Sequence, residues 1–193
     1  MDILRIRFFF DYLDPLSYLQ ELELAALEEE AGTSLATRVP LEMRPPPQLL
    51  LDPDGDEWRH RWRAACAVAA DVGADLTAPP ILPWTRKAHE LVLHAAEKGL
   101  RDRAHRAVFH AVFAEGADVG RVDVLVGIAE RLGMDTTEAK AVLDVDRHAA
   151  AVSHSRREAS AAGVEQPPAV WHDGQVLRGF HNRDALRTFL GSP

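Results

Sequence analysis

The chain has 193 residues, 47% of them hydrophobic and 27% charged, which is enough apolar side chain for one well-packed domain and too little polar bias for disorder. A formal charge of -8 works against nonspecific attraction to nucleic acid or to anionic membrane surfaces, so small molecules or proteins are the expected partners. The single cysteine, Cys66, excludes an internal disulfide and any two-cysteine redox or zinc motif.

Residues 3–10 form a short, nearly continuous apolar run ending in three phenylalanines, of a length suited to a buried strand. The run is too short for a signal peptide, and no apolar stretch reaches the roughly 18 residues of a membrane span, so a cytoplasmic location is expected. A tight turn follows, and Asp14-Pro15 opens a helix: Asp is a good N-cap, and Pro fits the first helical position, where its missing N–H costs nothing. Asp14, Leu16 and Ser17 therefore sit where unpaired backbone N–H groups and the helix dipole favour an anion. Apolar positions at Leu16, Leu19, Leu22, Ala26 and Leu27 carry this helix to about Ala31, with Glu28, Glu29 and Glu30 expected in water and Gly32 closing it. Alternation over Ala36 to Met43 predicts a second strand.

After the proline-rich loop at Pro45 to Pro53 the period changes. Trp58, Trp62, Cys66 (or Ala65) and Ala69 make one helical stripe, which places Cys66 in the core. Ala88, Leu91, Val92 and Ala95 make a second, and Ala104, Val108, Ala111 and Val112 a third. A fourth helix ends at Gly133, and Asp135-Thr136-Thr137-Glu138 has capping-box spacing for a fifth. A long helix from about Asp146 to Ala162 then stops at Gly163. Residues 169–172 and 175–180 flank Asp173-Gly174 and read as a hairpin on a type I′ turn, before a last helix over 183–190. Histidine pairs 89/94 and 105/110 are five apart, on different helix faces, so no metal site is expected.

The order β-α-β, helical block, α-β-β-α resembles the thioredoxin fold with an all-helical insertion, an α/β fold of DsbA-like type. Residues 10–19, Phe-Asp-Tyr-Leu-Asp-Pro-Leu-Ser-Tyr-Leu, resemble the active-site segment of the DsbA-like family that includes FrnE-type proteins, 2-hydroxychromene-2-carboxylate isomerases and kappa-class glutathione transferases. Gly163-Val164-Glu165-Gln166-Pro167-Pro168-Ala169-Val170 is similar to the family's Gly-Val-x-Gly-Val-Pro-Thr-Phe, making Pro168 its cis-proline. Leu41 to Pro45, Thr85 to His89 and Phe113 to Gly116 are similar to FrnE-type strings, so the resemblance covers nearly the whole chain. It implies a thioredoxin-like domain of residues 1–45 and 146–193, a helical insertion of residues 46–145, and a possible homodimer.

The departures carry the functional expectation. The two cysteines of the redox branch fall on Asp14 and Ser17, and neither side chain can form a mixed disulfide, so dithiol exchange is excluded. In the isomerase and transferase branch a serine at position 14 hydrogen-bonds the glutathione sulfur, whereas Asp14 sets a second negative charge against that thiolate. Pro167 keeps its carbonyl but has no N–H for a peptide-like ligand added at the sheet edge. Asp14 is thus either an N-cap alone or a charge standing where a thiolate would, and Ser17 either donates to a ligand or bonds locally. The resemblance implies an isomerase or transferase acting on a thiol conjugate or an aromatic or carbonyl compound, with glutathione or another low-molecular-weight thiol as the candidate cofactor. Asp14 and Ser17 are its candidate catalytic residues, and Tyr12, Leu16, Arg44, Trp84, Arg86, Pro167 and Pro168 its candidate substrate contacts. The alternative is a non-catalytic ligand- or protein-binding member.

Overall fold

The computed structural model describes residues 6–191. Residues 3–5 of the expected first strand lie outside them. In chain order the elements are β1 (Ile6–Phe10), α1 (Pro15–Ala31), β2 (Ala36–Pro40), α2 (Asp56–Val72), α3 (Arg86–Glu97), α4 (Arg101–Phe113), α5 (Val122–Arg131), α6 (Thr136–Asp144), α7 (Ala149–Ala161), β3 (Ala169–His172), β4 (Gln175–Arg178) and α8 (Arg183–Phe189). The strands form one mixed sheet in the order β2-β1-β3-β4. β1 runs parallel to β2, with Phe8 opposite Arg38, and antiparallel to β3, with Phe8 opposite Val170. Among the described residues no helix is long and apolar enough to cross a membrane.

The phenylalanine run is apolar throughout because β1 is covered on both faces. Phe8 and Phe10 point one way, into an aromatic cluster with Tyr12, Phe109 and Phe113, while Phe9 points the other way against Val39, Leu41, Ala159 and Val164. Helix α1 keeps its expected bounds, with Asp14 as N-cap and Gly32 in the left-handed conformation at its end. Its buried face differs from the expected stripe, since Leu24 is buried and Leu22 is on the surface. Glu28, expected in water, is partly buried and accepts hydrogen bonds from Arg38 and from the backbone N–H groups of Leu35 and Ala36.

Other expectations change. β2 stops at Pro40 rather than Met43, because the Met43 N–H turns out of the sheet to the Asp11 carboxylate at 2.7 Å. α7 starts at Ala149, since Asp146 takes a positive φ of 53° at the joint with α6. Cys66 is exposed: Ala65 and Ala69 fill the buried positions of α2, and Cys66 falls one residue off that face. The hairpin forms on the expected turn, with Asp173 and Gly174 both at positive φ, and its second strand ends at Arg178 instead of Phe180. The capping box is half realised, since Asp135 caps the Glu138 N–H while the Glu138 side chain pairs with Lys98.

Candidate functional site

The site is built on the β1–α1 turn. Asp14 caps α1, its Oδ2 accepting from the Ser17 N–H at 2.9 Å and from the Ser17 hydroxyl at 2.6 Å. Its Oδ1 lies 2.6 Å from Nη1 of Arg61 on α2. Asp14 and Ser17 have no solvent exposure. Burial pushes the Asp14 carboxyl above its usual range, and the Arg61 charge and the Ser17 hydroxyl pull it back only in part.

Above this buried pair lies a cleft of about 580 Å³. Leu16 of α1 and His60, Arg61 and Ala64 of α2 form one wall; the 163–168 segment, with Arg178 and Gly179 at the end of β4, forms the other. The Pro167-Pro168 peptide bond is cis. The Pro168 carbonyl accepts from the Gly179 N–H, and Arg178 donates to the Gly163 carbonyl at 2.8 Å, so the second wall is tied together by its own backbone. Arg61 is about one-fifth exposed, and among the described residues its side chain makes one hydrogen bond, to Asp14. The rest of its guanidinium fork remains for a carboxylate or similar anion in the cleft.

A second carboxylate braces the turn. Asp11 is buried; its Oδ1 accepts from the Thr85 hydroxyl at 2.5 Å and lies 3.1 Å from Nε2 of His89, while its Oδ2 takes the Met43 N–H. Thr85 stands at the N-cap of α3 without capping it, because its hydroxyl is spent on Asp11. Asp11 therefore fixes the start of α3 and the segment after β2 to the turn that carries Asp14.

Of the residues singled out in the sequence, Leu16, Pro167 and Pro168 line the cleft, and Asp14 and Ser17 lie beneath it. The other four are elsewhere. Tyr12 is in the core, its hydroxyl 2.9 Å from Nδ1 of His105; Arg44 pairs with Glu57; Arg86 pairs with Glu42 at 2.8 Å; and exposed Trp84 donates to the Gln48 carbonyl. Both arginines are thus engaged by carboxylates rather than left for a ligand. His60, Arg61, Glu165, Gln166 and Arg178 line the cleft without having been singled out. His60 lies on the polar face of α2, across from the Trp58 stripe, while Arg61 borders that stripe, three residues after Trp58 and four before Ala65, where the sequence offers a charge at the edge of an apolar face as its signal.

Neither Asp14 nor Ser17 can attack a ligand in the cleft from these positions, since both are covered and their polar atoms are paired. What the arrangement can do is hold a guanidinium, with fixed geometry, at the N-terminus of a helix.

Comparisons with known proteins agree with this architecture. The uncharacterized protein YwbO of Bacillus subtilis is 28% identical over 191 residues, covering 94% of this chain and 92% of that protein. The structure of a 2-hydroxychromene-2-carboxylate isomerase superposes with a TM-score of 0.77 at 17% identity, covering 97% of this chain and 93% of that one. The cytosolic disulfide reductase DsbM of Pseudomonas aeruginosa, solved with GSH, gives a TM-score of 0.71 at 20% identity, covering 97% of this chain and 98% of that one. The family model for the DSBA-like thioredoxin domain matches residues 5–191. The chain belongs to the DSBA-like thioredoxin domain family.

Proposed function

We propose that this protein is a small-molecule enzyme of isomerase or transferase type, acting on a thiol conjugate or an aromatic or carbonyl compound that carries an anionic group. The observation that carries this reading is Arg61, anchored to buried Asp14 and lining an open cleft beside Pro168. Asp14 and Ser17 are then positioning residues: Asp14 supplies from inside the protein the negative charge that a thiolate would bring and aims the guanidinium at the ligand, while the Ser17 hydroxyl holds the Asp14 carboxylate in place. His60 and Glu165 are the lining side chains able to move a proton. Glutathione or a similar thiol suits the site as cofactor or as part of the substrate, its carboxylates matching Arg61 and Arg178. A cytoplasmic setting, where thiols are kept reduced, suits this chemistry.

The second reading, a binder without catalysis, is favoured by the complete burial of Asp14 and Ser17. Calorimetric titration with glutathione, followed by an assay of thioether formation from glutathione and a chlorodinitrobenzene, separates the two. Binding with turnover supports the enzyme, binding without turnover supports the binder, and no binding of glutathione or of its S-alkyl conjugates contradicts the thiol-dependent form of either reading.

A further inference from the structure

Away from the cleft, α3 and the joint between α6 and α7 bring together three side chains that the local spacing of histidines does not reveal. His94 and Glu97 are three apart on α3 and share a face. His148, at the N-cap of α7, packs onto that face with its ring centroid 6.3 Å from that of His94. Nδ1 of His94 is 3.3 Å from one Glu97 oxygen, and Nε2 of His148 is 3.7 Å from the other. One ligand atom from each of the three residues falls within 4.8 Å of the other two.

Hydrogen bonding accounts for only part of this cluster. His94 and Glu97 satisfy each other, but Nε2 of His148 is buried with no hydrogen-bond partner, and 3.7 Å is too long for a bond to Glu97. The backbone that carries His148 is held in place. The His148 N–H is held by Glu90 at 3.0 Å, and Asp146, two residues earlier, is held by Lys87 at 2.6 Å. Both anchors lie on α3, the helix that carries His94 and Glu97, so the ligand from the remote element is fixed to the element that supplies the other two.

We propose that His94, Glu97 and His148 form a site for a divalent first-row transition-metal ion, with Zn²⁺ as its first candidate, that fastens the end of α3 to the start of α7. Two imidazoles and a carboxylate form a nitrogen-rich set that selects Zn²⁺, Ni²⁺ or Cu²⁺ over Ca²⁺ and Mg²⁺, which take oxygen ligands. A tetrahedral zinc with bonds of about 2.1 Å spaces its ligands roughly 3.4 Å apart, so shifts on the order of 1 Å close the triad. Three protein ligands leave the fourth position to water. Glu97, on the rim, gives the ion a path in from solvent, while His94 is buried. The positive charge of Arg147 bears on both Glu97 and His148 and works against a cation held between them.

The test uses the full chain, stripped with a chelator and titrated with Zn²⁺ in a calorimeter, beside Glu97→Gln and His148→Asn. Glu97 is part-exposed, so its substitution leaves the fold intact, and circular dichroism checks both variants. The expected result is one Zn²⁺ per chain, with affinity at least about tenfold weaker in each variant, and a thermal midpoint raised by zinc in the wild type alone. Absence of binding by the wild type overturns the site. So does affinity kept within about threefold by either variant, since the exposed histidines at 60, 110 and 154 then account for the ion.

Discussion

Nη1 of Arg61 lies 2.6 Å from a carboxylate oxygen of Asp14 that has no contact with solvent. The pair joins the first turn of α1 to α2 across the floor of the cleft, and it is asymmetric: the carboxylate is sealed, while the guanidinium reaches the surface. Arg61→Ala therefore strands a buried charge, at an expected cost of about 3 kcal/mol in denaturant unfolding at neutral pH. A double variant that also carries Asp14→Ser should lose clearly less than the sum of the two single changes.

The same pair has a pH signature. Burial already holds the Asp14 carboxyl above its usual range, and removing Arg61 raises it further. A carboxyl whose folded pKa exceeds its unfolded one binds more protons when folded, so its contribution to stability is present at low pH and is lost as pH rises through the folded value. The deficit of Arg61→Ala relative to wild type should shrink as pH is lowered from neutral toward the usual carboxylate range, as measured by urea midpoints.

Glu21 works in the opposite direction. Burial pushes its carboxyl up, but His105 and the two-pronged contact with Arg38, both bonds at 3.0 Å, outweigh it and hold it at about 2. A depressed carboxyl contributes stability above its unfolded pKa and loses it as pH falls toward the folded one. Wild-type stability should decline between about pH 4.5 and pH 2, with roughly 3 kcal/mol of that decline due to Glu21 and absent in Glu21→Gln.

Asp11 bonds to three segments, so Asp11→Ala leaves the Met43 N–H, the Thr85 hydroxyl and the His89 ring without their partner. A loss of about 3 kcal/mol is expected. Hydrogen exchange at the Met43 amide should accelerate beyond the global change.

Cys66 is exposed, so its thiol should react stoichiometrically with a disulfide reagent in the folded protein, at a rate close to that in denaturant. Cys66→Ser should move stability by less than about 0.5 kcal/mol.

What could be read from the sequence followed the range of each signal. Asp14-Pro15, Gly32 and Asp173-Gly174 act on their immediate neighbours, and the helix ends and the turn they set form as read. Cys66 misled because a stripe drawn through Trp58 and Trp62 passes between Ala65 and Cys66, and only packing chooses between them. Arg61 and His148 were silent for a different reason. Each acquires its role from a partner on another element, Asp14 for one and the His94 and Glu97 pair for the other, and no local pattern encodes those meetings. Arg44 and Arg86 look as available as Arg61 in the sequence, but Glu57 and Glu42 occupy them.

The most direct test of the central claim, that Asp14 holds Arg61 as the anion-binding group of the cleft, is calorimetric titration of wild type, Arg61→Gln and His60→Gln with glutathione and its S-alkyl conjugates. The account predicts measurable binding by the wild type, a loss of at least about tenfold in Arg61→Gln, and a smaller loss in His60→Gln. Equal affinity in wild type and Arg61→Gln would contradict it.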